Sequence, residues 1–177
     1  MDTPQFNPVT ELEQIETVCQ IADEVWHQHF TPIIGAAQVE YMLDQFQSVP
    51  AVTHQLTEEG YRYWLIVPAQ QTRDDLPAGY VAARADANEG ALFLSKLYLR
   101  RAYRGRGYAS AAIRFLTALC ERERLSNIWL TVNRDNTETI AKYYSMGFQK
   151  AREQKTDIGS GFYMDDFIME MKLHAGQ

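Results

Sequence analysis

The chain has 177 residues, 46% of them hydrophobic and 23% charged, the balance of an ordinary globular protein. A chain of this length can bury roughly two-thirds of its unfolded surface in one core, so a single domain over 1–177, with its core at about 6–173, is expected. The net charge of −6 argues against a general nucleic-acid binder, which would carry a basic surplus.

The two cysteines, Cys19 and Cys120, fall on apolar helical faces and read as reduced core thiols, with neither disulfide nor metal spacing. No metal and no membrane partner are therefore expected. No basic segment precedes an apolar run, and no apolar stretch approaches a membrane span, which places the protein in the cytoplasm.

Residues 1–9 read as a short strand or arm. Thr10 with Glu13 makes a capping-box pattern, and Leu12, Ile15, Val18, Cys19, Ala22, Val25 and Trp26 trace one face of a helix ending near His29. Thr31-Pro32 and Gly35 break it. Val39, Met42, Leu43 and Phe46 predict a shorter helix, ended by Ser48-Val49-Pro50, and residues 51–59 are ambiguous, with an extra helical turn before Gly60 left open. Tyr61 to Val67, Gly79 to Ala85 and Leu92 to Leu99 read as strands of a meander, with a loop-like hairpin connection over 68–77.

A helix from about Gly107 to Arg124 follows, then the strand Ile128 to Val132. Asn136 or Asp135 can cap a further helix through Ile140, Tyr143 and Tyr144, stopped by Gly147. Phe148 to Thr156 and Phe162 to Leu173 form a final strand pair around Gly159-Ser160-Gly161, and the last four residues are expected to fray. The order β-α-α-βββ-α-β-α-ββ predicts an α/β fold with a mixed sheet.

The stretch with the most chemistry is Arg104-Gly105-Arg106-Gly107-Tyr108-Ala109, between a strand and a helix. Four of the seventeen basic residues (Arg100, Arg101, Arg104 and Arg106) fall inside seven positions of this acidic chain. Backbone N–H groups at a helix start, with positive charge beside them, suit a small anion such as a phosphate. A nucleotide P-loop would need a Lys-Ser/Thr pair where Tyr108-Ala109 stands, and a dinucleotide fingerprint would need glycine at Ser110.

The pattern Arg/Gln-x-x-Gly-x-Gly/Ala is matched by Arg104, Gly107 and Ala109, and it resembles the acyl-CoA motif of the GCN5-related N-acetyltransferase (GNAT) superfamily. Asn136-Thr-Glu-Thr-Ile140-Ala-Lys-Tyr143-Tyr-Ser-Met-Gly147-Phe148 resembles the same family's second segment, with Thr139 in place of its usual alanine. The chain is thus similar to a bacterial-type GNAT protein, and the resemblance implies a mixed, mostly antiparallel central sheet flanked by about four helices. It also implies acetyl-CoA as co-substrate. The pantetheine arm would lie along the backbone of Leu97, Tyr98 and Leu99 like an added strand. The pyrophosphate would rest on Arg104, Gly105, Arg106, Gly107, Tyr108 and Ala109, and Asn136 would contact the cofactor.

The resemblance further implies an N-acetyltransferase, in which a primary amine of a small molecule, polyamine-like or other, attacks the thioester directly in a ternary complex. The N–H at Leu97 or Tyr98 is the natural oxyanion donor. Tyr143 would be the general acid for the leaving thiolate, a phenol of pKa about 10 being protonated at neutral pH. Tyr144 is its competitor. For the base, Glu58, Glu59, His27, His29, Asp165, Asp166 and an ordered water remain open, and Lys96 is expected to hold its amine in solvent.

Trp26, His29, Asp165 and Asp166 are the candidate acceptor residues, the carboxylates suiting a cationic amine. A protein Nα- or lysyl acetyltransferase and a non-catalytic CoA-binding module are the competing readings. Resemblance also allows a homodimer paired through the last strands.

Overall fold

The computed structural model describes residues 3–70 and 76–173. Part of the expected 68–77 connection and all of the expected frayed end at 174–177 lie outside the described residues. Among the described residues seven strands form a mixed, mostly antiparallel sheet. The chain divides into two compact units interleaved in sequence: residues up to 84 with 96–115, and residues 85–95 with those from 116 onward.

The first unit opens with β1 (Gln5–Pro8), antiparallel to β2 (Arg62–Val67) with Phe6 opposite Ile66. Between them run α1 (Leu12–His29), α2 (Thr31–Ile34), α3 (Ala36–Phe46) and α4 (Val49–Thr57). The capping of α1 sits one residue beyond the expected pair. Glu11 is the cap, and Gln14 Oε1 accepts the Glu11 N–H at 2.9 Å and the Thr10 N–H at 2.7 Å. The buried stripe is Ile15, Val18, Ile21, Ala22, Val25 and Trp26, close to the spacing read from sequence.

α3 ends at Phe46, just before Ser48-Val49-Pro50 as expected, and the same stretch also begins α4. Ser48 Oγ accepts from Ala51 N–H at 3.4 Å, and Pro50 sits in the first turn, where a missing N–H costs nothing. The one-turn α2 likewise carries Pro32 at its start. The four expected helices are therefore joined, among the described residues, by two more at the stretches read as a break and as ambiguous.

β2 pairs antiparallel with β3 (Gly79–Asp86), and β4 (Ala91–Leu99) supplies Lys96 to Leu99 to this unit. A short 3-10 turn (Arg101–Tyr103) leads to α5 (Tyr108–Glu123), whose first half belongs here. Phe115 of α5 stacks on Phe6 at 4.5 Å and meets Trp64 edge-on at 5.3 Å. A second aromatic group, Trp26, Phe30, Tyr63, Tyr80 and Tyr98, links α1 to β2, β3 and β4 through ring contacts of 4.4 to 6.3 Å.

In the second unit the beginning of β4 runs parallel to β5 (Asn127–Asn133), from Ala91 opposite Asn127 to Phe93 opposite Trp129. Phe93 and Trp129 stack at 4.2 Å. β5 pairs antiparallel with β7 (Phe162–Lys172), and β7 with β6 (Gln149–Gly159), which carries a register shift between Lys150 and Arg152. α6 (Thr137–Ser145) is the remaining helix. β6 is exposed along its length apart from the half-buried Ile158, so its residues are polar where β7 buries Asp166, Ile168 and Met169.

Candidate active site

The ladder between β4 and β5 ends at Phe93, and Leu97, Tyr98 and Leu99 lie beyond it. Arg104 Nε donates to the Leu99 carbonyl at 2.9 Å, tying the end of β4 to the turn that follows. Arg100 anchors the same junction: its Nε donates to Glu24 Oε2 at 2.8 Å, its Nη1 to the Leu76 carbonyl at 3.3 Å, and its N–H to the Ala78 carbonyl at 2.9 Å.

In the turn, Gly105 and Gly107 hold φ of +73° and +83°, a region that side chains with a Cβ seldom enter. Nothing in the protein stands within 4 Å of a Cβ placed on either residue. The glycines thus serve the backbone path, and the space outside them is open to a ligand. The first amides of α5 have no intrahelical acceptor and carry the positive end of the helix dipole. Tyr108 is buried and stacks on Tyr103 at 6.0 Å, so its ring anchors the turn. Arg106 lies over Tyr103, its guanidinium 5.6 Å from the ring centre. The turn thus brings two arginines and the first amides of α5 to one place.

The expected acceptor residues of the first unit sit in aromatic surroundings. Trp26 is buried between Phe30 and Tyr98, at 4.4 and 5.7 Å, and its indole Nε1 has no hydrogen-bond partner among the described residues. His29 meets Phe30 edge-on at 4.9 Å.

Lys96 corrects the sequence reading. Its amine is inside the protein, with the residue 6% exposed, and Nζ donates to Gln55 Oε1 at 2.5 Å and to the Tyr63 hydroxyl. Burial lowers its pKa to about 7, against the raising influence of Glu59 and Cys19. Cys19 is pushed up to about 11, chiefly by burial. Tyr80 donates to Gln47 Oε1 at 2.9 Å beside this group. Sequence reasoning missed the Lys96–Gln55–Tyr63 cluster. The available signal was the alternation Leu92, Leu94, Lys96, Tyr98, which puts the lysine on the buried face of β4.

Of the other base candidates, His27 is engaged at both ring nitrogens, with Glu40 Oε1 at 2.5 Å and the Asp23 carbonyl at 2.8 Å. The Glu40 contact, followed by the Asp23 carbonyl, raises its pKa. Glu59 faces His54 at 3.3 Å.

In the second unit, Asn136 is buried at the start of α6, and its carbonyl accepts the Ile140 N–H at 3.0 Å. Tyr143 is buried against Phe148 at 5.4 Å, whereas Tyr144 is 43% exposed. The Tyr143 hydroxyl has no hydrogen bond among the described residues, and burial pushes its pKa up. Asp165 and Asp166 differ in kind. Asp165 pairs with Arg134 at 3.2 Å in a network that continues to Glu153 and Lys150. Asp166 has no ion pair, and burial, with Asp165 beside it, raises its pKa to about 6.

Among the described residues no cluster of three or more His, Cys, Asp or Glu could hold a metal ion, and no helix is long and apolar enough to cross a membrane.

Solved structures share this fold at low identity. The PaiA N-acetyltransferase from Thermoplasma acidophilum, in complex with coenzyme A, superposes with a TM-score of 0.73 at 19% identity, covering 95% of this chain and 99% of that one. A spermidine N-acetyltransferase SpeG chimera from Vibrio cholerae and hSSAT gives 0.71 at 14%, covering 96% and 95%. The ribosomal-protein-S18-alanine N-acetyltransferase from Escherichia coli gives 0.68 at 17%, covering 98% and 97%. No curated protein matches the chain. Residues 20–148 match the model of the Acetyltransferase (GNAT) family, so the chain belongs to that family and is an acyltransferase with acetyl-CoA as its co-substrate.

Proposed function

We propose that the protein transfers the acetyl group of acetyl-CoA to a primary amine of a small molecule by direct attack within a ternary complex. The observation that carries the cofactor half is the turn at Gly105 and Gly107, with its positive φ angles and open outward faces at the start of α5. Arg104, Arg106 and the amides through Ala109 are assigned to the pyrophosphate, and the backbone of Leu97 to Leu99 to the pantetheine arm. The N–H of Leu97 is assigned to the developing oxyanion. Asn136 as a cofactor contact and Tyr143 as general acid rest on the second motif. The Tyr143 ring is buried on Phe148 while its hydroxyl makes no hydrogen bond to the described residues and is not shut away from solvent, which leaves it available to a bound thiolate.

The acceptor half rests on different observations. Trp26 and His29 line an aromatic cluster, and Asp166 keeps a carboxylate outside any ion pair, which suits a cationic amine. Asp165 is committed to Arg134 and is assigned to that network. The similar folds of a spermidine acetyltransferase and a ribosomal-protein acetyltransferase do not choose an acceptor class. Residues 6–173 are taken as one catalytic domain in the cytoplasm, a reading supported by a family match that crosses both units. Pairing of two copies through β6 and β7 belongs to the same proposal, supported by the exposed run of β6 at the end of the strand order.

Calorimetry with CoA tests the cofactor half. Gly107→Glu should abolish binding while the protein stays folded, and undiminished affinity would sink the assignment. Thiol release across a panel of polyamines, other small amines and peptides tests the acceptor half, and faster acetylation of peptides would overturn the small-amine reading.

A further inference from the structure

One buried charged side chain of the first unit has no part in the cofactor seat. Lys96 Nζ is held by Gln55 Oε1 and the Tyr63 hydroxyl, and that hydroxyl donates in turn to the same Gln55 oxygen at 2.5 Å. Among the described residues no carboxylate forms an ion pair with it. The groups facing it are Tyr61 and Tyr63, with ring centres at 5.9 and 4.9 Å, Cys19 from α1 and Glu59 beyond α4. A lysine buried without a counter-ion is expensive as an ammonium, and a position needed only for packing is better served by an apolar residue. Lys96 precedes Leu97 in the chain, and it shares a face of β4 with Tyr98, whose ring packs on Trp26 and Phe30.

We propose that Lys96 is the proton acceptor for the attacking amine. This rests on the acetyl-transfer reading above. The bound alkylammonium hands one proton to the neutral Nζ, and the freed lone pair forms the N–C bond. As the C–S pair leaves with sulfur, the thiolate takes the phenol proton of Tyr143. The second amine proton passes to solvent, from which the phenol is restored, and Lys96 then releases its own proton to water. One ammonium and one thioester thus give one amide, one thiol and one proton. An amine that titrates near neutrality is matched to this task.

The test is the pH dependence of kcat, with an amine found in the panel, for the parent protein and for Lys96→Met, Lys96→Arg, Tyr63→Phe and Asp166→Asn. CoA affinity and melting temperature are measured alongside. The parent kcat should rise through about pH 7 to a plateau. Lys96→Met and Lys96→Arg should bind CoA normally, lose kcat on the order of a hundredfold and lose that rise. Tyr63→Phe removes an acceptor from the ammonium form and should move the rise to lower pH.

A folded Lys96→Met with parental kcat and the same rise would overturn the proposal, as would a rise that vanishes only in Asp166→Asn. If neither Lys96 variant folds, a Tyr63→Phe profile that stays in place overturns it. Thiol release from no amine at all would instead defeat acetyl transfer itself, and this inference with it.

Discussion

The carbonyl oxygen of Tyr98 on β4 stands 2.1 Å from where a Cβ on Gly79 of β3 would be, with Leu99 Cδ2 and Cα at 3.0 and 3.1 Å. The end of β4 can approach β3 only because position 79 has no side chain. Gly79→Ala must push Tyr98 and Leu99 away, which also shifts the backbone assigned to the pantetheine arm. Overpacking of this kind costs roughly 1–3 kcal/mol. A fall in the urea midpoint together with weaker CoA binding is expected. Unchanged CoA affinity in a destabilised variant would show that this approach does not position the strand for its ligand.

Tyr143→Phe separates catalysis from stability. The ring keeps its packing on Phe148, and only a hydroxyl without a protein partner is removed. Melting temperature should be unchanged or slightly higher, because no hydrogen bond is lost. CoA affinity should hold while kcat drops on the order of tenfold to a hundredfold, within the span of proton-transfer catalysis. Full activity would return Tyr143 to a packing role.

Asp166 gives a stability signature with a definite sign. Its folded pKa of about 6 lies above the ordinary value of 3.8, so between these limits the folded state holds a proton that the unfolded state releases. Its contribution is fully present below about pH 4 and is lost as pH rises through about 6. Asp166→Asn should flatten that part of the melting-temperature profile and raise stability at pH 7. Cationic amines should also show a higher KM, if the carboxylate receives them. A profile identical to the parent's would remove Asp166 from both roles.

Glu24 and Arg100 join α1 to the end of β4 at 2.8 Å, with both side chains partly buried. Glu24→Gln should cost about 1 kcal/mol at most, since a partly exposed pair is screened by solvent. The loss should shrink in 1 M salt, where the Debye length is about 3 Å. Chemical denaturation at two ionic strengths measures it.

What the sequence made legible was local. The periodic apolar face of α1 and the strand–turn–helix at Arg104 to Ala109 depend on neighbours within a few residues, and both stand as read. Ser48-Val49-Pro50 closes α3 as read, and because proline punctuates either end of a helix, only the Ser48 cap shows that it opens α4 as well. The burial of Lys96 runs against the usual exposure of lysine, although Leu92 and Leu94 at even spacing put it on the inward face of β4. Its partners Gln55 and Tyr63 come from α4 and β2, far away in sequence. Asp165 and Asp166 are adjacent and chemically alike. What distinguishes them is Arg134, supplied by the residue just after the neighbouring strand β5, and no pattern within β7 announces it.

The interleaved units have a consequence for how the protein is made. The chain passes from one unit to the other after residues 84, 95 and 115, the middle passage falling inside β4 itself. No single cut in the chain therefore releases either unit intact. On the ribosome the first unit cannot complete until α5 has emerged to bring Phe115 onto Phe6 and Trp64, more than a hundred residues after β1 was synthesised. Until then β1 and β2 carry aromatic surface without its cover, and long-range closure of this kind is slow. Aggregation during synthesis should accordingly respond to substitutions at Phe115 more than to changes in the late hairpin of β6 and β7.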